Sequence, residues 1–363
     1  MTETRETLLM TPGPTALPPE VREALSRPLV NPDVEPGFTV DYRRILDKLS
    51  TVYGTDEEMI VLGGEGILGL EASVASLVAP GEAVLCLANG LYGEGFADLV
   101  ETHGGEAVVC SVEEGAPFDP DEVASLVDEH DPVAATMVHC ETPLGLLNDL
   151  DGVLGVLEGA GVLTVVDAVS SLGGTPVPTD RIDVTLGASQ KCFSSPPGLS
   201  TLSVSERAWE KVESTPQDTF YASLEPWRDV DLEGEEAVLL PYTHLSSNLY
   251  ALEASLDLLL AEGLEDVYER HAAAAALCRE RGREIGLEPF PPTEDRRSPT
   301  VTAFEVEGEA GEICEAVRER HGVVLSTGLA DHADDIVRVG HMGYGADRGR
   351  VEVAMDALAD VLG

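Results

Sequence analysis

The chain is predicted to fold as an α/β protein, with a large domain on a mostly parallel sheet and a smaller C-terminal α+β domain. Three observations predict this. Short apolar or β-branched runs alternate with longer amphipathic stretches from residue 59 to about 205, as in a parallel sheet covered by helices on both faces. A length of 363 residues suits about two domains, and 43% apolar residues fill a sizeable core. A Pro-rich stretch over 214–241, carrying the acidic run 229–236, then breaks the alternation.

In order, residues 1–20 form a Pro-rich segment expected to pack between the domains near the site. Residues 21–241 form the large domain, with strands over 59–62, 83–87, 107–110, 134–139, 162–167, 183–186 and 199–204. Helices are expected over 68–78, 92–103, 120–129 and 153–159, with stops at Pro80-Gly81 and Gly104-Gly105. Residues 242–363 form the small domain: a long helix over 248–285, a Pro-rich break at 289–292, and strands over 301–306 and 336–339.

Acidic residues outnumber basic ones 67 to 22, a formal net charge of −45. Only Lys48, Lys191 and Lys211 are lysines; the other 19 basic residues are arginines. A field of that sign repels phosphate backbones and anionic lipid, which argues against nucleic acid and membranes as partners. Folded chains with such acid excess and lysine depletion resemble those of organisms with molar internal salt, haloarchaea among them, where a Debye length of about 3 Å mutes self-repulsion. The opening MTETRETLLM lacks the apolar core of a signal peptide, and no run of about 20 apolar residues could span a bilayer. Cys86, Cys110, Cys140, Cys192, Cys278 and Cys314 are scattered without CxxC or His-rich partners. Reduced thiols in a cytoplasmic protein fit that pattern better than disulfides or a metal site.

The chemistry concentrates in two runs, VVDAVSS at 165–171, ending a strand, and ASQKCFSSPPG at 188–198, following the next. An Asp at the carboxyl end of a parallel strand projects into the crevice where such sheets bind ligands. Asp167 and Lys191 can therefore face one crevice. Pyridoxal 5'-phosphate needs that pair, an amine for the Schiff base and a carboxylate to hold the pyridine nitrogen protonated. Where nearly every cation is Arg, a Lys among small and Pro-Gly neighbours points to amine chemistry that Arg cannot perform.

Further motifs extend the pattern: PGPT at 12–15, GGEGILGLEA at 63–72, NGLYGEGF at 89–96, HCETPLG at 139–145 and RVGHMG at 338–343. In order and spacing they resemble the class V aminotransferases of fold type I, the branch of alanine-glyoxylate, serine-glyoxylate and serine-pyruvate aminotransferases. The resemblance implies Lys191 as the Schiff-base lysine and Asp167 as the pyridine partner. Val169 and Tyr92 would support opposite faces of the ring, and Thr142 and Gln190 would lie along it. The amides of Gly66 and Ile67 would cradle the phosphate, and Arg338 would fork the substrate carboxylate. Thr243 would reach the neighbouring subunit's cofactor, implying a homodimer with shared sites. Glu65 stands where the family carries Ser, and repulsion between anions leads us to expect it to point away from the phosphate. Pro143-Leu144 replaces a Ser-Thr step, and an aromatic usual a few residues before Thr243 stands next to it as Tyr242.

The resulting expectation is amino transfer from alanine or serine to glyoxylate or pyruvate. Aspartate transamination would need a second cation for the distal carboxylate, absent from these motifs. Cysteine desulfuration would need a loop cysteine in the C-terminal third, where Cys278 and Cys314 lie in helix-like stretches. A catalytically silent binding module would have lost Lys191 or Asp167. His139 and His341 are expected to orient neighbours rather than move protons.

Overall fold

The computed structural model of the chain describes residues 7–232, 237 and 239–363. All seven strands expected in the large domain form one sheet, ordered Glu58–Leu62, Ser200–Val204, Val184–Ala188, Leu163–Asp167, Ala134–Val138, Ala83–Ala88, Glu106–Ser111. Ser200–Val204 runs antiparallel to both neighbours, and the remaining pairs are parallel.

Successive side chains of a strand point to opposite faces, so each strand supplies two cores. Val84, Cys86 and Val165 enter one, with side chains from helices Pro36–Tyr53, Gly66–Leu77 and Leu91–Thr102. Leu85, Leu87 and Val166 enter the other, closed by helices Pro120–His130 and Asp151–Ala160. Cover on both faces is why these strands read as continuous apolar runs. Strand order reverses between Ala83–Ala88 and Ala134–Val138, and a crevice opens at the carboxyl ends beside such a reversal. The segments leaving the strands there carry NGLYGEGF, HCETPLG and VVDAVSS.

The smaller sheet pairs Ile336–Gly340 antiparallel with both Val301–Glu305 and Ser326–Thr327. Helices Ala310–His321 and Arg348–Leu362 pack with it around Phe304, Val337 and Val339. The helix expected over 248–285 is two helices, Ser246–Glu262 and Leu264–Glu284, because Gly263 adopts φ +90° and turns the chain. Leu249, Leu252, Leu256, Leu259 and Val267 join the large-domain core, whereas Ala274, Leu277 and Cys278 join the C-terminal core. Packing thus changes partner within the second helix, later than the boundary at 241 read from the Pro-rich stretch.

The N-terminal segment spans both cores. Leu8–Leu9 pairs in parallel with Val323–Val324, Met10 is buried in the C-terminal core, and the Gly340 amide donates to the Met10 carbonyl at 2.7 Å. The Thr15 amide then donates to the Gln190 carbonyl of the large domain at 3.1 Å. Residues 1–6 of this segment and 233–236 of the acidic run lie outside the described residues.

Candidate active site

A cavity of about 300 Å³ opens at the crevice, and Gly66, Ile67, Tyr92, Thr142, Asp167, Val169, Gln190 and Lys191 all line it. Sequence positions from five separate strand ends therefore converge on one space.

Lys191 follows strand Val184–Ala188, and its Nζ donates to the Pro12 carbonyl at 2.8 Å. Gly13 lies against the lysine: its φ of +99° suits glycine, and a Cβ there would sit 2.5 Å from Lys191 Cδ. The two other lysines are tied to carboxylates, Lys48 to Glu253 at 3.0 Å and Asp257 at 2.6 Å, and Lys211 to Glu82 at 2.6 Å. Lys191 is held by a neutral carbonyl instead, and burial pushes its amine below the usual lysine range, against the pull of Asp167. Asp167 ends strand Leu163–Asp167, and its Oδ1 accepts from the Val169 amide at 2.8 Å. Burial raises its carboxyl to about 6, while that amide and Lys191 work in the opposite direction.

Tyr92 lies in the first turn of helix Leu91–Thr102, whose start is fixed by a residue that sequence reasoning passed over. Glu141 is fully buried and accepts from the Gly93 amide at 2.7 Å and the Tyr92 amide at 3.2 Å. An anion at a helix N-terminus is favoured by the amides it meets. Burial still prevails and pushes the Glu141 carboxyl up to about 7. Next to it, the Thr142 hydroxyl shares a short hydrogen bond with that of Ser170. Leu144, in the unusual Pro143-Leu144 step, packs with Leu146, Ala303 and Ile336 and ties this turn to the C-terminal sheet. His139 contacts the Ser171 hydroxyl at 2.8 Å, and burial lowers it to about 4. His341 is likewise buried, lowered to about 3, and bonded to Thr302 at 2.8 Å. Both are neutral at physiological pH and hold neighbours in place.

Arg338 and Thr243 lie off the cavity wall. Arg338, on strand Ile336–Gly340, is 7% exposed, and its Nε donates to the Thr327 carbonyl at 2.7 Å. Burial lowers its basicity, opposed by Tyr92 and Cys314, and among the described residues no carboxylate pairs with it. Its charge acts on both Tyr92 and Lys191. Thr243 is exposed, and its hydroxyl donates to Asp33 at 3.3 Å.

The ring half of pyridoxal phosphate fits these residues, with Lys191 for the aldehyde, Asp167 for the ring nitrogen, and Tyr92 and Val169 for its faces. The phosphate half does not fit. Glu65 lines the cavity rather than pointing away; its Oε1 accepts from the Ile67 amide at 3.3 Å and its Oε2 from Gln190 Nε2 at 3.1 Å. The start of helix Gly66–Leu77 attracts any nearby anion, and the chain supplies its own.

Cys278 sits in helix Leu264–Glu284 and Cys314 in helix Ala310–His321, with burial pushing the thiols up to about 12 and about 11. Neither is a mobile thiolate, so desulfuration lacks its nucleophile.

The Aminotransferase class-V family matches residues 35–338. Pyridoxamine–pyruvate transaminase of Mesorhizobium japonicum is 33% identical over 98% of this chain and 91% of its own length. Alanine–glyoxylate aminotransferase of Oryctolagus cuniculus is 30% identical over 98% of this chain and 92% of its own. The crystal structure of alanine–glyoxylate aminotransferase from Nostoc sp. superposes with a TM-score of 0.93 at 28% identity, covering 99% of this chain and 96% of that one. With seven strands in this order and Asp167 and Lys191 in one cavity, the chain belongs to the class-V aminotransferases, fold type I enzymes whose family cofactor is pyridoxal 5'-phosphate.

Proposed function

We propose that the protein moves an amino group between a small neutral amino acid, alanine or serine, and glyoxylate or pyruvate. The carrying observation is Arg338, a buried guanidinium without a carboxylate partner among the described residues, whose charge acts on the cavity's Tyr92 and Lys191. It matches one substrate carboxylate by a planar, forked contact. Among the described residues that line the cavity Lys191 is the one cation, so a second carboxylate would be left unpaired. The names of relatives support glyoxylate and pyruvate as acceptors.

The pyridoxal ring supplies an acceptor for the electrons released at the substrate α-carbon. Lys191, held toward its neutral form by burial, would bond the ring's aldehyde and would hold the α-proton on Nζ. Asp167 holds a proton at the ring nitrogen, and the Val169 amide fixes its orientation. Tyr92 and Val169 confine the ring. Glu141 clamps the helix that carries Tyr92.

Two chains combining into a dimer suit the surface around Thr243. Leu29, Val34 and Leu245 are exposed there, and segment 30–33 is tied to 243–246 through the Ser246–Val30 and Thr243–Asp33 hydrogen bonds. No helix among the described residues is long and apolar enough to cross a membrane, and six free cysteines agree with a reducing cytoplasm. The net charge of −45 supports adaptation to high salt.

An amino-donor panel in high salt against glyoxylate, pyruvate and 2-oxoglutarate tests the reading. Alanine or serine is expected to give the highest kcat/KM, and Arg338→Ala to raise KM for amino and keto acid alike by at least about tenfold. A higher kcat/KM for aspartate or glutamate refutes it.

A further inference from the structure

We propose that Glu65 shuts phosphate out of this site, so that the unphosphorylated vitamer binds and free pyridoxamine acts as a diffusible amino donor to pyruvate or glyoxylate. The inference rests on the amino-transfer reading above and specifies which form of the ring takes part.

Two independent observations carry it. The Ile67 amide, at the helix start where a phosphate would be cradled, already donates to Glu65 Oε1 at 3.3 Å, and Gln190 Nε2 fixes the other oxygen at 3.1 Å. Gln190, 5% exposed, keeps its own Oε1 buried with no donor among the described residues. This end of the cavity therefore offers acceptors and negative charge. A phosphate dianion brings more of both, and among the described residues no cation other than Lys191, already committed to the ring's aldehyde, lines the cavity to offset it. A hydroxymethyl group is neutral and brings an O–H, which a carboxylate accepts as a charge-assisted hydrogen bond. The end of the cavity that mismatches the phosphate thus matches the alcohol.

Without a phosphate to anchor it, the ring can enter and leave as a substrate. In the exchange, the C–N bond of the pyridoxamine methylene breaks and a C–N bond forms at the α-carbon of the keto acid. The methylene carbon loses a proton and becomes the aldehyde, and the α-carbon gains a proton and becomes the amino acid. Water carries the carbonyl oxygen, the vitamer is oxidised as the keto acid is reduced, and no outside oxidant is needed.

The test compares equilibrium binding of pyridoxal and pyridoxal 5'-phosphate to the full chain in high salt, followed by visible absorbance, and turnover of pyridoxamine with pyruvate. Wild type is expected to favour pyridoxal by at least about a hundredfold and to release pyridoxal catalytically. Glu65→Ser keeps a capping side chain at the helix start, so the fold is preserved, and is expected to move the preference at least about tenfold toward the phosphate. Tight retention of pyridoxal 5'-phosphate by wild type, or an unchanged preference in Glu65→Ser, overturns the inference. Transamination with bound pyridoxal 5'-phosphate alone would overturn it while leaving the amino-transfer reading intact, and absence of transamination with either form would instead strike that reading.

Discussion

Glu141→Gln isolates the cost of a buried charge in the support of the site. In the folded chain the Glu141 carboxyl is pushed to about 7 from an ordinary 4.5, chiefly by burial. The folded state therefore holds this proton where the unfolded chain has released it. Stability from this group is greatest below the unfolded value, falls between about pH 4.5 and 7, and is level above. At about 1.4 kcal/mol per pH unit the loss amounts to about 3 kcal/mol. Gln has nothing to titrate and keeps one acceptor, for the Gly93 amide, giving up the bond to Tyr92 at a cost of about 1 kcal/mol at every pH. The variant should be less stable than wild type at pH 4.5, cross it between about pH 5 and 6, and exceed it by about 2 kcal/mol at pH 8. Denaturant titrations at fixed high salt across that range measure the difference, in which all other titrating groups cancel. A stability gap that does not change with pH would show that Glu141 is ionised throughout and refute the reasoning.

Three further outcomes follow from the same geometry. Borohydride reduction in the presence of pyridoxal should place the pyridoxyl group on Lys191 by peptide mapping, because Lys48 and Lys211 are engaged by carboxylates; labelling confined to those two would remove the assignment. Asp167→Asn should still bind the ring yet lose at least about a hundredfold in kcat, the scale of deleting an electrostatic stabiliser, and near-normal turnover would mean another acid serves the nitrogen. With a net charge of −45, transfer from about 1 M to 0.1 M salt lengthens the screening distance from about 3 to 10 Å and should cost activity or dissociate an assembly, read by light scattering; an active, unchanged species in dilute buffer contradicts salt adaptation.

The sheet was legible because strands buried on both faces leave uninterrupted apolar runs, as in AVLCLA at Ala83–Ala88. The site was legible where a residue type is dictated by chemistry, as at Asp167 and Lys191. Helix Pro36–Tyr53 escaped notice although Phe38, Tyr42, Ile45, Leu49 and Val52 repeat at helical spacing, because charged residues on its other face dilute the pattern. Gly263 lies inside the helix expected over 248–285 and breaks it, because glycine can adopt the φ of +90° found there. Glu141 left no signal, because nothing in HCETPLG tells that its Glu is buried beneath a helix start. The direction of Glu65 was misread by weighing its repulsion from a phosphate and overlooking its attraction to the amide beside it.

The opening segment of the chain has a mechanical consequence. Met10 is locked into the C-terminal core, and only two residues on, the Pro12 carbonyl holds the Lys191 amine. Three residues further, Thr15 donates through its amide to the Gln190 carbonyl and through its hydroxyl to the Lys191 carbonyl, one on each side of the Lys191 Cα. A short segment therefore links the core of the smaller sheet directly to the reactive nitrogen. The packing of the smaller sheet and the hold on the reactive amine thus share one short stretch of chain, Met10 to Pro12.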